Sequence, residues 1–368
     1  MKILTIFEDG RIGGPHNQFL YFYKKNNKLN QHNHLLIMPN FNKSKIFDKK
    51  INFIKLNLTY LSKSNLFFYF ISFFWDIYKI SREIIRNKIN IIYIGGGSNC
   101  IKSVISSIIT RRKFIWHIHD TNSNLMLVIF FNLFKFFSEK IIFVSHKSKN
   151  FYLKNNKFKN FIILPSAIDV NFFEKNCFNK KVTNKIIMIA NFNPDKDFLT
   201  AIDVIHNIEN NNKKILFYVL GKVWDTQKDY FLKVKNKILE KKIKNLKLVT
   251  KTKSINKYLK QADILLSTSI NESLPLSICE AMAASKVIVS TDVGDIKKFV
   301  EKKNNKINPG GKVFKKYDHE AISKFILNLY KNKNEIKKLG YNSNKIASNY
   351  FNIFSYSKKF YKILTQHL

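Results

Sequence analysis

The stretch from Ser267 to Gly294, STSINESLPLSICEAMAASKVIVSTDVG, restricts the fold of this chain more than any other part of it. Ala262 to Ser267 reads as a buried strand, Pro275 suits the first turn of a helix, and Lys286 to Thr291 reads as a second buried strand. A βαβ crossover this short forces its strands parallel. The loop ahead of the helix then opens at their carboxyl ends, where α/β sheets bind ligands. Free backbone N–H groups between Leu274 and Ser277 favour an anion there, most commonly a phosphate or diphosphate. Two carboxylates take distinct places around that point. Glu272 lies in the loop, within reach of sugar hydroxyls, and Glu280 lies more than a turn inside the helix, where a carboxylate can grip a vicinal diol such as a ribose. The plain alternative is a pair of solvated acids on an ordinary βαβ unit.

Glu272 and Glu280 are separated by seven residues, and the segment resembles the Glu-x7-Glu signature of the retaining glycosyltransferases of family 4. The match continues through Ala281, Met282, Ala283, Thr291, Asp292, Val293 and Gly294. Ser273 and Ser285 stand where many members have glycine, Val287 where many have proline, and Lys298 where an acid is common. The resemblance implies an α/β fold of the GT-B type, with two Rossmann-like domains whose parallel sheets face a cleft and a C-terminal helix that crosses back to the N-terminal domain. It also implies that Ser273, Leu274, Pro275 and Leu276 line the donor diphosphate, that Glu272 orients the transferred sugar, and that Glu280 holds the ribose.

A length of 368 residues accommodates two domains with full cores, and 45% hydrophobic residues exclude a disordered chain. The formal charge of +39 points towards polyanions or anionic membranes. Lysine is accompanied by abundant asparagine, isoleucine and phenylalanine, the residues of AT-rich codons, so mutational bias accounts for much of that excess and no specific nucleic-acid partner is expected. Cys100, Cys177 and Cys279 form no metal or redox spacing and read as free thiols of a reducing compartment. The N-terminal apolar run is too short for a signal peptide, and no segment reaches the roughly 18 apolar residues of a membrane helix. The protein is expected in the cytoplasm, peripheral on the cytoplasmic face of the inner membrane.

The first strand, Lys2 to Phe7, leads into EDGRIGGP, where Gly13 and Gly14 let the backbone approach a ligand closely. A Gly-Gly turn alone is weak, and its spacing is not the dinucleotide fingerprint. Beside the Glu-x7-Glu unit it resembles the family's N-terminal glycine loop, which approaches the donor diphosphate. Further strands are expected at 33–38, 90–95, 113–118, 140–144 and 161–164, separated mostly by helix-length apolar segments, as in a doubly wound parallel sheet. FIWHIHD places His117 and His119 on one face of its strand with Asp120 at the tip. His119 resembles the family's cleft histidine, which contacts the transferred sugar.

Two aromatic segments, LFFYFISFFWDIYKI from Leu66 and LMLVIFFNLFKFF from Leu125, support two readings. Each packs a wide apolar face against the N-terminal sheet, or each seats that domain on an anionic leaflet with help from Lys79, Arg82, Arg86 and Lys88. The domain boundary falls between about 165 and 184, where Pro165, Asn171 and Asn176 interrupt the periodicity. The expected division is 1–170, 171–345 and a terminal helix over 346–368. Lys185 begins the second domain's first strand, and Lys196 lies on the loop after it. In the family an arginine and, five residues on, a lysine neutralise the donor diphosphate at this point. Lys196 matches the lysine and Asn191 replaces the arginine.

The implied reaction is retaining transfer from a nucleoside diphosphate sugar to a saccharide or lipid-linked acceptor of cell-surface polysaccharide or glycolipid assembly. Lys196 and the helix start would stabilise the departing diphosphate, with no cofactor and no divalent metal expected. Two rivals stay open: a GT-B relative with other chemistry, such as a sugar-nucleotide epimerase, and a non-catalytic basic protein that binds membrane or nucleic acid.

Overall fold

A computed structural model describes residues 2–10, 13–25, 33–39, 52–62, 66–154, 158–178, 181–251, 254–303 and 307–366. Arg11 and Ile12 of the expected glycine loop lie outside these. The chain forms two compact units, one of residues up to Ala167 together with those from Ile353 onward, the other of Ile168–Asn352.

In the first unit the elements run β1 (Lys2–Ile6), α1 (Gly14–Lys25), β2 (Asn33–Ile37), β3 (Asn52–Ile54), α2 (Leu66–Arg86), β4 (Ile91–Ile94), α3 (Ile101–Ile109), β5 (Lys113–Ile118), α4 (Leu125–Phe134), β6 (Lys140–Phe143), α5 (His146–Leu153) and β7 (Phe161–Ile163). The sheet order is β3-β2-β1-β4-β5-β6-β7, and every pairing is parallel. A parallel sheet is covered on both faces, which is why β1 and β4 are near-continuous runs of isoleucine and leucine rather than alternating. On one face Phe19, Phe22 and Tyr23 of α1 meet Tyr356 and Phe360 of the C-terminal helix, Ile353–Thr365. On the other face α2, α3, α4 and α5 share one core through Ile80, Ile84, Val104, Phe131 and Leu153.

The second unit repeats the plan with α6 (Val170–Cys177), β8 (Lys185–Ile189), α7 (Phe198–Asn211), β9 (Leu216–Leu220), α8 (Lys228–Glu240), β10 (Leu246–Val249), α9 (Ile255–Gln261), β11 (Ile264–Ser267), α10 (Leu276–Ala283), β12 (Val287–Thr291), α11 (Ile296–Val300), β13 (Gly311–Phe314), α12 (His319–Lys331) and α13 (Lys333–Tyr350). Its sheet runs β10-β9-β8-β11-β12-β13, again wholly parallel. The β11–α10–β12 unit is the crossover expected from the sequence. Pro275 differs by one position: at φ −66° and ψ 133° it is still extended, and the helix begins at Leu276. All three cysteines are free and buried.

The strand Asn52–Ile54 lies where sequence expectation placed none, because three residues at a sheet edge carry too little pattern to read. Neither reading of the aromatic segments is complete alone. α2 does turn Tyr69, Ile77, Ile80 and Ile84 inward, yet its outward side is also apolar, with Phe74 80% exposed.

Candidate active site

The second sheet reverses its strand order between β8 and β11. At the carboxyl ends of those strands lies a crevice lined by Ile189, Ala190, Ser267, Ser269, Glu272 and Ser277. After β8 the chain makes a single 3-10 turn, Pro194–Lys196, in which the Asn193 side chain accepts the N–H of Asp195 at 2.9 Å. Asp197 follows at φ 43° and caps α7 by accepting the N–H of Thr200 at 3.2 Å. The loop after β11 is stitched to this turn: the Thr268 hydroxyl donates to the Asp197 carbonyl at 2.8 Å, and the Ile270 N–H to the Asp195 carbonyl at 2.8 Å. These contacts bring Lys196 against Glu272, and the ammonium donates to the Glu272 carboxylate. The Ser269 hydroxyl donates to the same carboxylate oxygen at 3.4 Å.

A third loop holds Glu272 from behind. The Thr291 hydroxyl donates to the Ser269 carbonyl at 2.5 Å, and the Asp295 N–H donates to the Ser273 carbonyl at 3.0 Å. Gly294, at φ 61°, makes that approach feasible, since a β-carbon there would sit 2.0 Å from the Ser273 carbonyl oxygen. Ser273 and Leu274 are both buried. No side chain caps the start of α10. Its first-turn amides, those of Leu276 and Ser277, point ahead of the helix with the positive end of its dipole.

The first sheet reverses between β1 and β4. There Glu8, fully buried, accepts the N–H and the hydroxyl of Ser103 at 2.7 and 2.8 Å, tying the end of β1 to the first turn of α3. Its second carboxylate oxygen is buried without a hydrogen-bond partner. Burial pushes this carboxyl up to about 7, against the opposing pull of Ser103 and of the Lys102 charge. The Gly13 N–H donates to His16 Nδ1 at 3.3 Å, and His16 Nε2 donates to the Asp9 carbonyl at 2.9 Å, which fixes a neutral imidazole. Burial lowers the pKa of His16. At the end of β5 the rings of His117 and His119 lie 4.0 Å apart on one face. His117 shares a hydrogen bond of 2.6 Å with the Tyr93 hydroxyl, whereas His119 Nε2 is buried without a partner. Burial, helped by the nearby His16, lowers His119 to about 3, so its imidazole is neutral at physiological pH. Asp120 is held by the hydroxyls of Ser98 and Tyr152, the latter at 2.7 Å.

Residues 170–346 match the family described as glycosyl transferases group 1. The matched residues make up most of the second unit. The whole chain also superimposes on solved GT-B structures. Anabaena HepE in complex with UDP-glucose is 15% identical, with 100% of each chain covered and a TM-score of 0.83. A glycosyltransferase from Rickettsia africae is 16% identical over 99% of this chain and 98% of its own, with a TM-score of 0.76. Sucrose-phosphate synthase from Thermosynechococcus elongatus is 13% identical over 99% and 98%, with a TM-score of 0.78. Comparison with curated protein sequences gave no match.

The structure joins Lys196 to Glu272, two residues that the sequence offers only as separate candidates. Asn191, immediately past β8, is half-buried, and its carbonyl accepts the Asn193 N–H at 2.8 Å. Glu280 lies half-buried one turn into α10, as expected. Gly13 and Gly14 open α1, next to His16. Sequence reasoning missed Glu8 and His16. The signal for Glu8 was slight: an acid two residues past a largely apolar strand, in a position that the fold buries.

Proposed function

We propose that this chain is a group 1 glycosyl transferase that moves a sugar from a nucleoside diphosphate sugar to a saccharide or lipid-linked acceptor, with retention and without a divalent metal. The observation that carries the reading is the Lys196–Glu272 pair beside the uncapped start of α10, at the strand-order reversal of the second sheet. A lysine and two free amides form a compact positive site for a diphosphate, and a carboxylate fixed beside them meets the hydroxyls of the attached sugar. The bond between the anomeric carbon and the β-phosphate oxygen breaks as Lys196 and the amides of Leu276 and Ser277 take up the charge on the diphosphate. The acceptor hydroxyl oxygen bonds to the same face of that carbon and passes its proton to the departing phosphate. Glu272 orients the sugar, Glu280 holds the ribose, and Asn191 supplies a neutral hydrogen bond where the family places an arginine. Gly13 and Gly14 give the backbone close access to the ligands.

HepE has been crystallised with UDP and with UDP-glucose, which makes uracil nucleotide sugars the first donors to try. The acceptor belongs to cell-surface polysaccharide or glycolipid assembly on the cytoplasmic side of a membrane. Thermal-shift screening against nucleotide sugars and their diphosphates, with and without chelator, tests the reading. One sugar nucleotide should stabilise the wild type, insensitive to chelator, and fail to stabilise Glu280→Ala. A chain that responds to no nucleotide, sugar-bearing or not, contradicts it.

A further inference from the structure

We infer that the helical face formed by α2, α3 and α4 is a docking surface for an anionic lipid bilayer, tilted so that the carboxyl ends of the first sheet's strands face the membrane. The two aromatic segments of the sequence share this one face, because α2, α3 and α4 cover the same side of the sheet. The outward side of α2 presents Phe67, Phe68, Phe70, Ile71, Phe74 and Trp75, all exposed. That of α4 and the turn after it presents Leu125, Met126, Ile129, Leu133, Phe136 and Phe137, with Leu125 74% exposed. Apolar patches of this extent mark an interaction surface rather than an ordinary exterior.

The helix beneath the patch is firmly seated. Lys102 of α3, wholly buried, donates to Asp76 of α2 at 2.7 Å and to the Thr59 carbonyl at 2.7 Å. The aromatic side chains are therefore outward by construction, with the inner side of α2 already occupied by its own core.

Charge identifies the occupant. From Leu66 to Phe137 every exposed residue that carries a charge at neutral pH is basic: Arg82, Arg86, Lys88, Arg111, Arg112 and Lys113, whereas Asp76, Glu83 and Asp120 are buried or half-buried. Apolar side chains together with an excess of exposed cations, of which Arg86 and Lys113 also meet Glu83 and Glu139 at 3.7 and 3.8 Å, match an anionic leaflet. Their distribution sets the tilt. Helices between parallel strands run antiparallel to them, so the aromatic start of α2 lies at the strands' carboxyl ends, whereas Arg82 to Lys113 lie at the opposite edge. The aromatic edge enters the acyl boundary and the basic edge meets headgroups. No described helix is long and apolar enough to span the bilayer.

This inference rests on the proposed function only for the lipid nature of the acceptor, and its test is separate. Trp75 is the one tryptophan on this face, Trp116 being buried and Trp224 lying in the second unit. The full-length protein is floated with vesicles of phosphatidylcholine alone or mixed with phosphatidylglycerol, and Trp75 emission is read against brominated acyl chains. Flotation only with phosphatidylglycerol and quenching lost in Trp75→Phe are expected. Phe67→Ser/Phe70→Ser/Phe74→Ser should lower the floated fraction at least tenfold while keeping the wild-type shift with UDP. Arg82→Gln/Arg86→Gln/Arg111→Gln/Arg112→Gln should abolish the preference for phosphatidylglycerol. Equal flotation of the aromatic variant, no flotation of the wild type, or a wild-type dimer that the aromatic variant dissociates would overturn the inference, the last by making a second copy the occupant.

Discussion

Lys196 and Glu272, 76 positions apart in the chain, form an ion pair at the carboxyl edge of the second sheet. Their side chains are 22% and 16% exposed, and a pair this accessible to water contributes only about 0–1 kcal/mol to stability. It is costly machinery for folding and well placed for an incoming diphosphate. Lys196→Ala should accordingly lower kcat/KM about 100- to 1,000-fold, as the loss of one transition-state donor does. The Tm should fall by no more than about 4 °C. Calorimetry and donor turnover on the same preparation check this. A large loss of Tm with little change in activity would make the pair a structural one.

The two glutamates divide the donor between them. Glu280→Gln should weaken binding of the bare nucleoside diphosphate more than Glu272→Gln does, because only Glu280 is assigned to the ribose. Glu272→Gln should reduce turnover with the donor still bound, since it releases Lys196 to the diphosphate while replacing a charged carboxylate acceptor for sugar hydroxyls with a weaker neutral amide. Titration calorimetry with UDP and with a UDP-sugar separates the two effects. Equal, negligible changes in both variants would remove the assignment.

How much of this was legible beforehand differs between the two units. The βαβ unit around Glu272 was readable because its strands are buried on both faces and its helix start is punctuated by proline, so pattern and geometry coincide. Lys196 was readable only by resemblance, in a chain where lysine is otherwise uninformative. The contact between Lys196 and Glu272 was not, because it depends on the Thr268 and Ile270 hydrogen bonds that draw two distant loops together. Glu8 and His16 escaped for a related reason. Their partners, Ser103 and the backbone of Asp9 and Gly13, gather only when β1 and β4 become neighbours or when the glycine loop closes. The outward aromatic side of α2 was ambiguous in sequence, since that helix is apolar nearly all round in its first turns and periodicity cannot choose its buried face.

Gly294→Ala tests how tightly the Glu272 loop is held. The φ of 61° costs a side-chain-bearing residue on the order of 1–2 kcal/mol, and the new β-carbon would meet the Ser273 carbonyl oxygen at 2.0 Å. The loop must shift, carrying Ser273 and Glu272 with it. We expect a drop in Tm, and a fall in turnover, measured well below the unfolding range, that is larger than the stability loss explains. Wild-type turnover in a destabilised protein would show that the crevice tolerates movement of this loop.

Glu8 gives the first unit a pH signature of definite sign. Its folded pKa, near 7, lies above the ordinary carboxylate value of 4.5. Between these values the folded chain keeps a proton that the unfolded chain has released. The favourable contribution is therefore complete below about pH 4.5 and is lost as pH rises through 7, a span worth on the order of 3 kcal/mol. His119 runs the other way: lowered to about 3, it contributes stability above the ordinary imidazole range that disappears as pH falls through it. Near neutrality the two slopes oppose each other in the wild type, so its own pH profile is a poor test. Glu8→Gln isolates one of them, since glutamine mimics the protonated acid towards Ser103 and cannot ionise. The Tm of Glu8→Gln relative to wild type should rise steadily from pH 5 to pH 8. A constant difference across that range would mean that Glu8 is already ionised in the folded protein at pH 5, its charge met by Lys102 and Ser103 more fully than its burial suggests.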